Sequence, residues 1–179
     1  NEIVAYENIP YCYDAWEISE YYKDKSKKIT DSDSVKVEKH KNFAELVVNR
    51  KFSNSKIIQR TRLYNNIDRI DFYLEIDWNE QKTLIKALFP MNIHSDEATY
   101  DIQFGSITRP THSNTSWEKA KFEVCGHKWV DLSEDEYGIS LINNSKYGFS
   151  CEENQLSMTL LTSPKYPNPE ADMGKHEIA

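Results

Sequence analysis

Polar and apolar residues alternate along most of this chain. At positions 70–78, Ile70, Phe72, Leu74, Ile76 and Trp78 fall on one side of an extended backbone, with Asp71, Tyr73, Glu75 and Asp77 on the other. Successive side chains of a strand point to opposite faces, so the pattern predicts an antiparallel strand with one buried and one wet face. The same period places strands near 35–38, 43–48, 57–64 and 84–90. Pro90 closes the last of these or sits on an edge, because proline cannot donate to a ladder. Beyond Asp96, further strands are predicted at 99–104, 120–124, 128–132, 137–142 and 156–161. Roughly ten strands joined by short turns, with no sustained helical period, give an all-β fold, an antiparallel β-sandwich. Residues 14–23 admit at most about one helical turn, with Trp16, Glu20 and Lys23 near one face.

No internal repeat or flexible linker divides the chain, and 179 residues suit one domain spanning 1–179. The segment 164–179 carries Pro164, Pro167 and Pro169, which predicts an extended surface tail. A composition of 39% hydrophobic, 28% charged and 12% aromatic residues is that of a folded globular protein. No apolar run approaches the roughly 18 residues that cross a membrane, and the first residues lack a signal-peptide pattern. A net charge of −7 spread along the chain works against nucleic acid or an anionic membrane as partner. The basic run from Lys23 to Lys28 is broken by Asp24 and reads as a solvated turn. Cys12, Cys125 and Cys151 form neither a metal pair nor a disulfide framework, so reduced thiols and a cytoplasmic location are expected.

Candidate chemistry concentrates in residues 109–117, Arg-Pro-Thr-His-Ser-Asn-Thr-Ser-Trp, which have no strand or helix period and predict a loop. Arg109 offers a fork of donors, His112 and Asn114 can read hydroxyls, and Trp117 can present an indole face to a sugar ring. Plainer readings stand beside these. Arg109 can form an ion pair, and His112 and Asn114 can cap turns. For Trp117 and Trp129 the core reading is favoured. Asp14 is expected to cap a turn while Trp16 plugs the sandwich, and Tyr147 belongs to a hairpin or a site-facing loop. The five histidines are isolated, without a second ligand at i+2 to i+4, so no metal site is expected in this chain.

Several blocks carry a family resemblance: Tyr13-Asp14-Ala15-Trp16; Ala98 to Gly105 followed by RPTHSNTSW; Phe122 to Ser133; Tyr137 to Gly148; Leu160 to Lys165; and Pro169 to Asp172. In this order they resemble the C-terminal β domain of glycoside hydrolase family 38, the α-mannosidases, of the bacterial and cytosolic type. The resemblance implies a galactose-mutarotase-like supersandwich that is a fragment of a larger enzyme, cut before a final strand. It implies a parent that hydrolyses terminal α-linked mannose with retention, using paired carboxylates about 5–5.5 Å apart and zinc. The nucleophile and zinc ligands would lie in the preceding catalytic and helical domains. This chain then holds no catalytic residue and no cofactor of its own. It packs on those domains and lines the rim for a mannose-containing glycan with Arg109, His112, Asn114, Trp117 and Tyr147. The alternative is a non-catalytic carbohydrate-binding module. A mutarotase-type epimerase would need an acid/base pair such as His127 with Glu123 or Glu170, which the spacing does not bring together.

Overall fold

A computed structural model describes all 179 residues. The first strands are β1 (Glu2–Glu7), β2 (Ser26–Lys28), β3 (Ser34–Lys39), β4 (Phe43–Phe52) and β5 (Ser55–Tyr64). Next come β6 (Ile70–Trp78), β7 (Thr83–Pro90), β8 (Glu97–Ile102), β9 (Gly105–Pro110) and β10 (Val124–Cys125). The last are β11 (Trp129–Ser133), β12 (Gly138–Ile142), β13 (Gly148–Glu152), β14 (Gln155–Leu161) and β15 (Gly174–Ile178). A 3-10 turn spans Tyr22–Asp24, and the only α-helix, α1, is the four residues Ser116–Lys119. The strands form three antiparallel sheets with the orders β10-β13-β14-β7-β1-β2, β12-β11-β8-β9 and β15-β6-β5-β4-β3.

One buried cluster ties the sheets together. The six-stranded sheet contributes a single face, whose cross-strand rows include Ile3, Ala87, Met158 and Phe149, and Ala5 with Ile85. Against it pack Ile57, Leu74, Ile76, Trp78 and Ile178 of the five-stranded sheet and Ala98, Tyr100, Val130 and Leu132 of the four-stranded one. This is the β-sandwich arrangement, in which facing sheets interdigitate the inward residues of each strand. Trp78, fully buried, donates its indole N–H to Ser163 Oγ at 2.5 Å and stacks on Phe52 at 5.8 Å. β6 keeps the alternation read from its sequence. β7 reads Thr-Leu-Ile-Lys-Ala-Leu-Phe-Pro because it lies between β1 and β14 and is covered on both faces, and Pro90 ends it.

The structure corrects several expectations. Residues 109–117 are not all loop: Arg109 and Pro110 finish β9, and Ser116 and Trp117 open α1. Residues 120–124 are not a strand, because the chain turns there and only Val124 reaches β10. The 164–179 segment is not extended tail throughout; Gly174–Ile178 pairs with β6 and buries Ile178. Trp16 does not plug the sandwich and Trp117 is no core anchor, being 68% and 82% exposed; Trp129 is half-buried. Asp14 does not cap its own turn; its carboxylate accepts from the backbone N–H of Lys165 and Tyr166 at 2.5 and 3.3 Å. The Lys23–Lys28 run contains the short edge strand β2, and Lys23, Lys25 and Lys28 pair with Glu152, Glu7 and Glu2.

Candidate functional site

β9 is the edge strand of the four-stranded sheet, and its register places Arg109 opposite Ala98 on the core-facing side. The Arg109 guanidinium lies 4.6 Å from the ring centroid of buried Tyr100, a cation–π contact, and its Nη1 is buried without a hydrogen-bond partner. Thr111, 3% exposed, fixes the start of the connection. Its hydroxyl donates to Ser95 O at 2.6 Å, its N–H to Asp96 O at 2.9 Å, and its carbonyl accepts from Glu153 N–H at 2.8 Å.

After Thr111 the chain runs out into solvent until Thr115 restarts it as a helix. Thr115 Oγ1 accepts from Glu118 N–H at 3.3 Å, and Glu118 Oε2 accepts from Thr115 N–H at 2.8 Å. This reciprocal capping box satisfies two donors that a helix start leaves open. Trp117, inside this capped turn, points outward. The Thr115 N–H holds the Glu118 carboxyl below its ordinary value, and His112 adds to that. His112 sits with Nδ1 at 3.4 Å from Glu118 Oε2 but makes no hydrogen bond through that nitrogen. Asn114 is exposed. Neither His112 nor Asn114 caps the turn with its side chain, which is the role Thr115 takes.

Arg109, His112, Asn114 and Trp117 are therefore one connection: a cation held on an aromatic face, an imidazole beside a carboxylate, and an exposed amide and indole. Tyr147 belongs elsewhere. Its carbonyl accepts from Gly126 N–H at 3.0 Å and its ring meets His127 edge-on at 5.6 Å, and no hydrogen bond or aromatic contact joins it to residues 109–117. The connection has donors and an aromatic surface, which suit a polyhydroxylated ligand, but no nucleophile–base pair.

A second polar cluster escaped sequence reasoning. Lys86 of β7, 1% exposed, projects from the face of the six-stranded sheet opposite the common core, in a row with Val4 and Thr159. Its ammonium contacts the Glu123 carboxylate and lies 3.0 Å from Ser150 Oγ and 3.4 Å from the Tyr22 hydroxyl. Tyr22 donates to Glu123 Oε1 at 2.9 Å, Thr159 donates to Oε2 at 3.4 Å, and Ser150 and Ser157 share a 2.6 Å bond. Burial pushes the Lys86 ammonium down from its ordinary value and the Tyr22 phenol up, and Glu123 is the charge that keeps the buried cation compensated. The signal for Lys86 was present, a single charge in an otherwise apolar run. Glu123 and Tyr22 gave none.

The chain's own donors do not fit a zinc ion. No group of three or more His, Cys, Asp and Glu side chains converges on one point. His40 stacks on Phe43 at 4.3 Å, and His176 Nε2 lies 2.8 Å from Asp172 O. An open acidic cleft lined by His94, Asp96, Glu134, Asp135 and Glu136 has no hydrophobic wall on which a sugar ring can stack. Burial and the neighbouring Glu152 push the Cys151 thiol up to about 12, away from the thiolate form.

Comparison with known proteins places these features. Residues 1–170 match the family described as "Glycosyl hydrolases family 38 C-terminal domain". The chain is 38% identical over 181 residues to "Alpha-mannosidase 2C1" of Mus musculus, an alignment covering 99% of this chain and 17% of that protein. It is 38% identical over 187 residues to "Alpha-mannosidase" of Saccharomyces cerevisiae, again covering 99% and 17%. "Alpha-mannosidase G" of Dictyostelium discoideum is 44% identical over 125 residues, covering 70% of this chain and 12% of that protein. Among solved structures, an alpha-mannosidase from Enterococcus faecalis V583 superposes with a TM-score of 0.80 at 11% identity, over 99% of this chain and 24% of that one. The chain thus spans about a sixth of the length of the curated relatives that match it end to end.

Proposed function

This chain belongs to the glycosyl hydrolase family 38 C-terminal domain family, and from that membership we propose that it is the C-terminal β-sandwich of an α-mannosidase that hydrolyses terminal α-linked mannose. The observation that carries the proposal is the match of 99% of the chain, at 37–38% identity, to proteins named α-mannosidase in mouse, human and yeast. On this reading the parent is a cytoplasmic, retaining enzyme whose nucleophile and zinc ligands belong to its catalytic domain. The 179 residues alone are inert. Their role is to pack on the catalytic and helical domains and to complete the rim around a mannose-containing glycan.

Arg109, His112, Asn114 and Trp117 are the rim residues of this proposal. Pinned by Thr111 at one end and by the capping box at the other, the connection presents an indole at 82% exposure from a fixed base. Such an indole offers its face to the C–H side of a sugar. Tyr147, 51% exposed, serves the same rim only if the glycan extends to the β12–β13 turn. In the full-length enzyme, Trp117→Ala and Arg109→Ala are expected to raise KM for an α-mannoside about tenfold or more, the loss of roughly 1.4 kcal/mol of binding, with kcat little changed. Unchanged KM in both variants would remove the rim role.

The exposed aromatics also favour a second reading, a carbohydrate-binding module without hydrolytic partner. Besides Trp117, the side chains of Tyr11, Tyr13, Trp16 and Tyr166 stand in solvent. Retention of the full-length protein on a mannan column without any mannoside hydrolysis would select this reading.

A further inference from the structure

The five-stranded sheet presents one apolar face, and only part of it is covered. Register places Val35, Val48, Gln59, Leu74 and Ile178 in one cross-strand row. The next row is Val37, Leu46, Thr61 and Phe72, and the outermost is Lys39, Ala44, Leu63 and Ile70. In the first row Val48, Gln59, Leu74 and Ile178 are buried, Leu74 and Ile178 within the common core. The cover stops there. Gln59 donates to Asn1 Oδ1 at 2.8 Å and Phe72 meets Phe89 edge-on at 5.5 Å, but past them Val37, Leu46, Leu63 and Ile70 stand 65, 39, 54 and 51% exposed. The opposite face of these strands carries most of the sheet's ion pairs, Glu45 with Arg60 and Arg62 and Asp71 with Arg69, around the buried Val47. The uncovered rows on the apolar side are contiguous, and a contiguous exposed apolar patch marks a contact surface.

We infer that this uncovered part of the sheet is the packing surface for residues of the same polypeptide that lie outside these 179, presenting an apolar face of their own. The inference rests on the reading of this chain as one domain of a larger α-mannosidase. Three observations select the occupant. The patch adjoins the chain's own core through Phe72, which meets Phe89, with the Arg50–Gln59–Asn1 hydrogen bonds as a single polar rung beside that join, so whatever covers it lies against the core's edge, as intramolecular layers do. The chain is 17% of its relatives' length, so they carry the further polypeptide needed to cover it. A second copy is disfavoured because Lys39 stands on this face and Lys36 and Lys41 flank its edge, so a two-fold contact would bring the same cations to both sides. A sugar is a poor occupant, since among these outer rows only Thr61 and Lys39 offer polar groups.

Hydroxyl-radical footprinting of the full-length protein, read by mass spectrometry at Leu46, Leu63 and Ile70, tests this. Their modification is expected to be about tenfold slower than in the urea-unfolded protein and unchanged on dilution from micromolar to nanomolar. Rates within about twofold of the unfolded ones would overturn the inference, and protection lost on dilution would do so in favour of a second copy. Leu63→Asp is expected to raise labelling at Leu46 and Ile70, whereas Lys56→Asp on the charged face leaves it unchanged; equal labelling in both overturns the inference. A mannosidase assay on the same samples separates the two readings. Protection without hydrolysis supports this surface while removing the enzymatic reading, and hydrolysis without protection removes this surface alone.

Discussion

Lys86 sits where a lysine is least at home, on a central strand at 1% exposure, with Glu123, Ser150 and Tyr22 around its ammonium. Removing one member of such a pair strands the other charge away from water, which costs about 3–5 kcal/mol. Glu123→Gln and Lys86→Met are each expected to lower the unfolding free energy by that order. The double variant Lys86→Met with Glu123→Leu should recover most of the loss, which a double-mutant cycle by urea denaturation will show. Glu45 is the counterpart on the five-stranded sheet. Burial pushes its carboxyl up, but hydrogen bonds from Arg62 and Arg60 outweigh burial and hold it below the ordinary value. A group whose folded pKa is depressed contributes stability above its unfolded pKa and loses it as pH falls through the folded one. Glu45→Gln is therefore expected to cost about 1–3 kcal/mol near neutral pH, with the gap to the parent chain closing as pH drops below about 4 in urea melts. Lys86 was visible in the sequence as the lone charge in its strand. Its partner was not, because sheet order and not spacing brings Glu123, 37 residues further on, to the same point.

The elements carry their own strain and their own signals. β8 and β9 join through a two-residue turn, Ile102 pairing with Gly105, and Phe104 in that turn has φ of 63° with its side chain fully in solvent. A bulky residue in the left-handed region is disfavoured, and here no packing offsets the cost. Phe104→Gly is expected to stabilise the hairpin by about 0.5–1 kcal/mol, seen as slower amide exchange at Asp101 and Ser106. Alternation made the long strands β4 to β6 legible, whereas β7, covered on both faces, showed as a near-continuous apolar run. The short edge pieces β2, β9 and β10 were not legible, since two to six residues with exposed side chains show no period. The helix start was legible in principle: Thr115-Ser116-Trp117-Glu118 is the S/T-x-x-E spacing of a capping box. Its aromatic and hydroxyl content drew the reading to ligand chemistry instead, and Trp117 then proved to be exposed by the helix that the box initiates.

At the scale of the molecule, the all-β sandwich followed from period and composition, but the partition into three sheets did not. Which strands neighbour each other is a long-range property: β14 lies beside β7, and β15, the last strand, lies beside β6. The prolines at 164, 167 and 169 predict an extended surface tail, yet after them Gly174 takes φ of 98° and admits the turn into β15. β15 is an edge strand that pairs Ile178 with Leu74 and His176 with Ile76, closing the five-stranded sheet over its buried end. Its alternation is clear in three dimensions: Ile178 points inward at 4% exposure, while Glu177 stands in solvent. If that closure belongs to the core and not to a loosely attached tail, charge at the two positions must act very differently. Ile178→Asp is expected to cost about 3 kcal/mol or more, since it places a carboxylate among Leu74 and its neighbours without a partner, whereas Glu177→Ala should change stability by less than about 0.5 kcal/mol. Urea midpoints of both variants, with amide exchange along β6, decide the matter. Equal midpoints would mean that β15 adds pairing to the edge without contributing to the core. A drop confined to Ile178→Asp, with β6 amides released, would make the final five-residue strand part of the fold's cooperative unit.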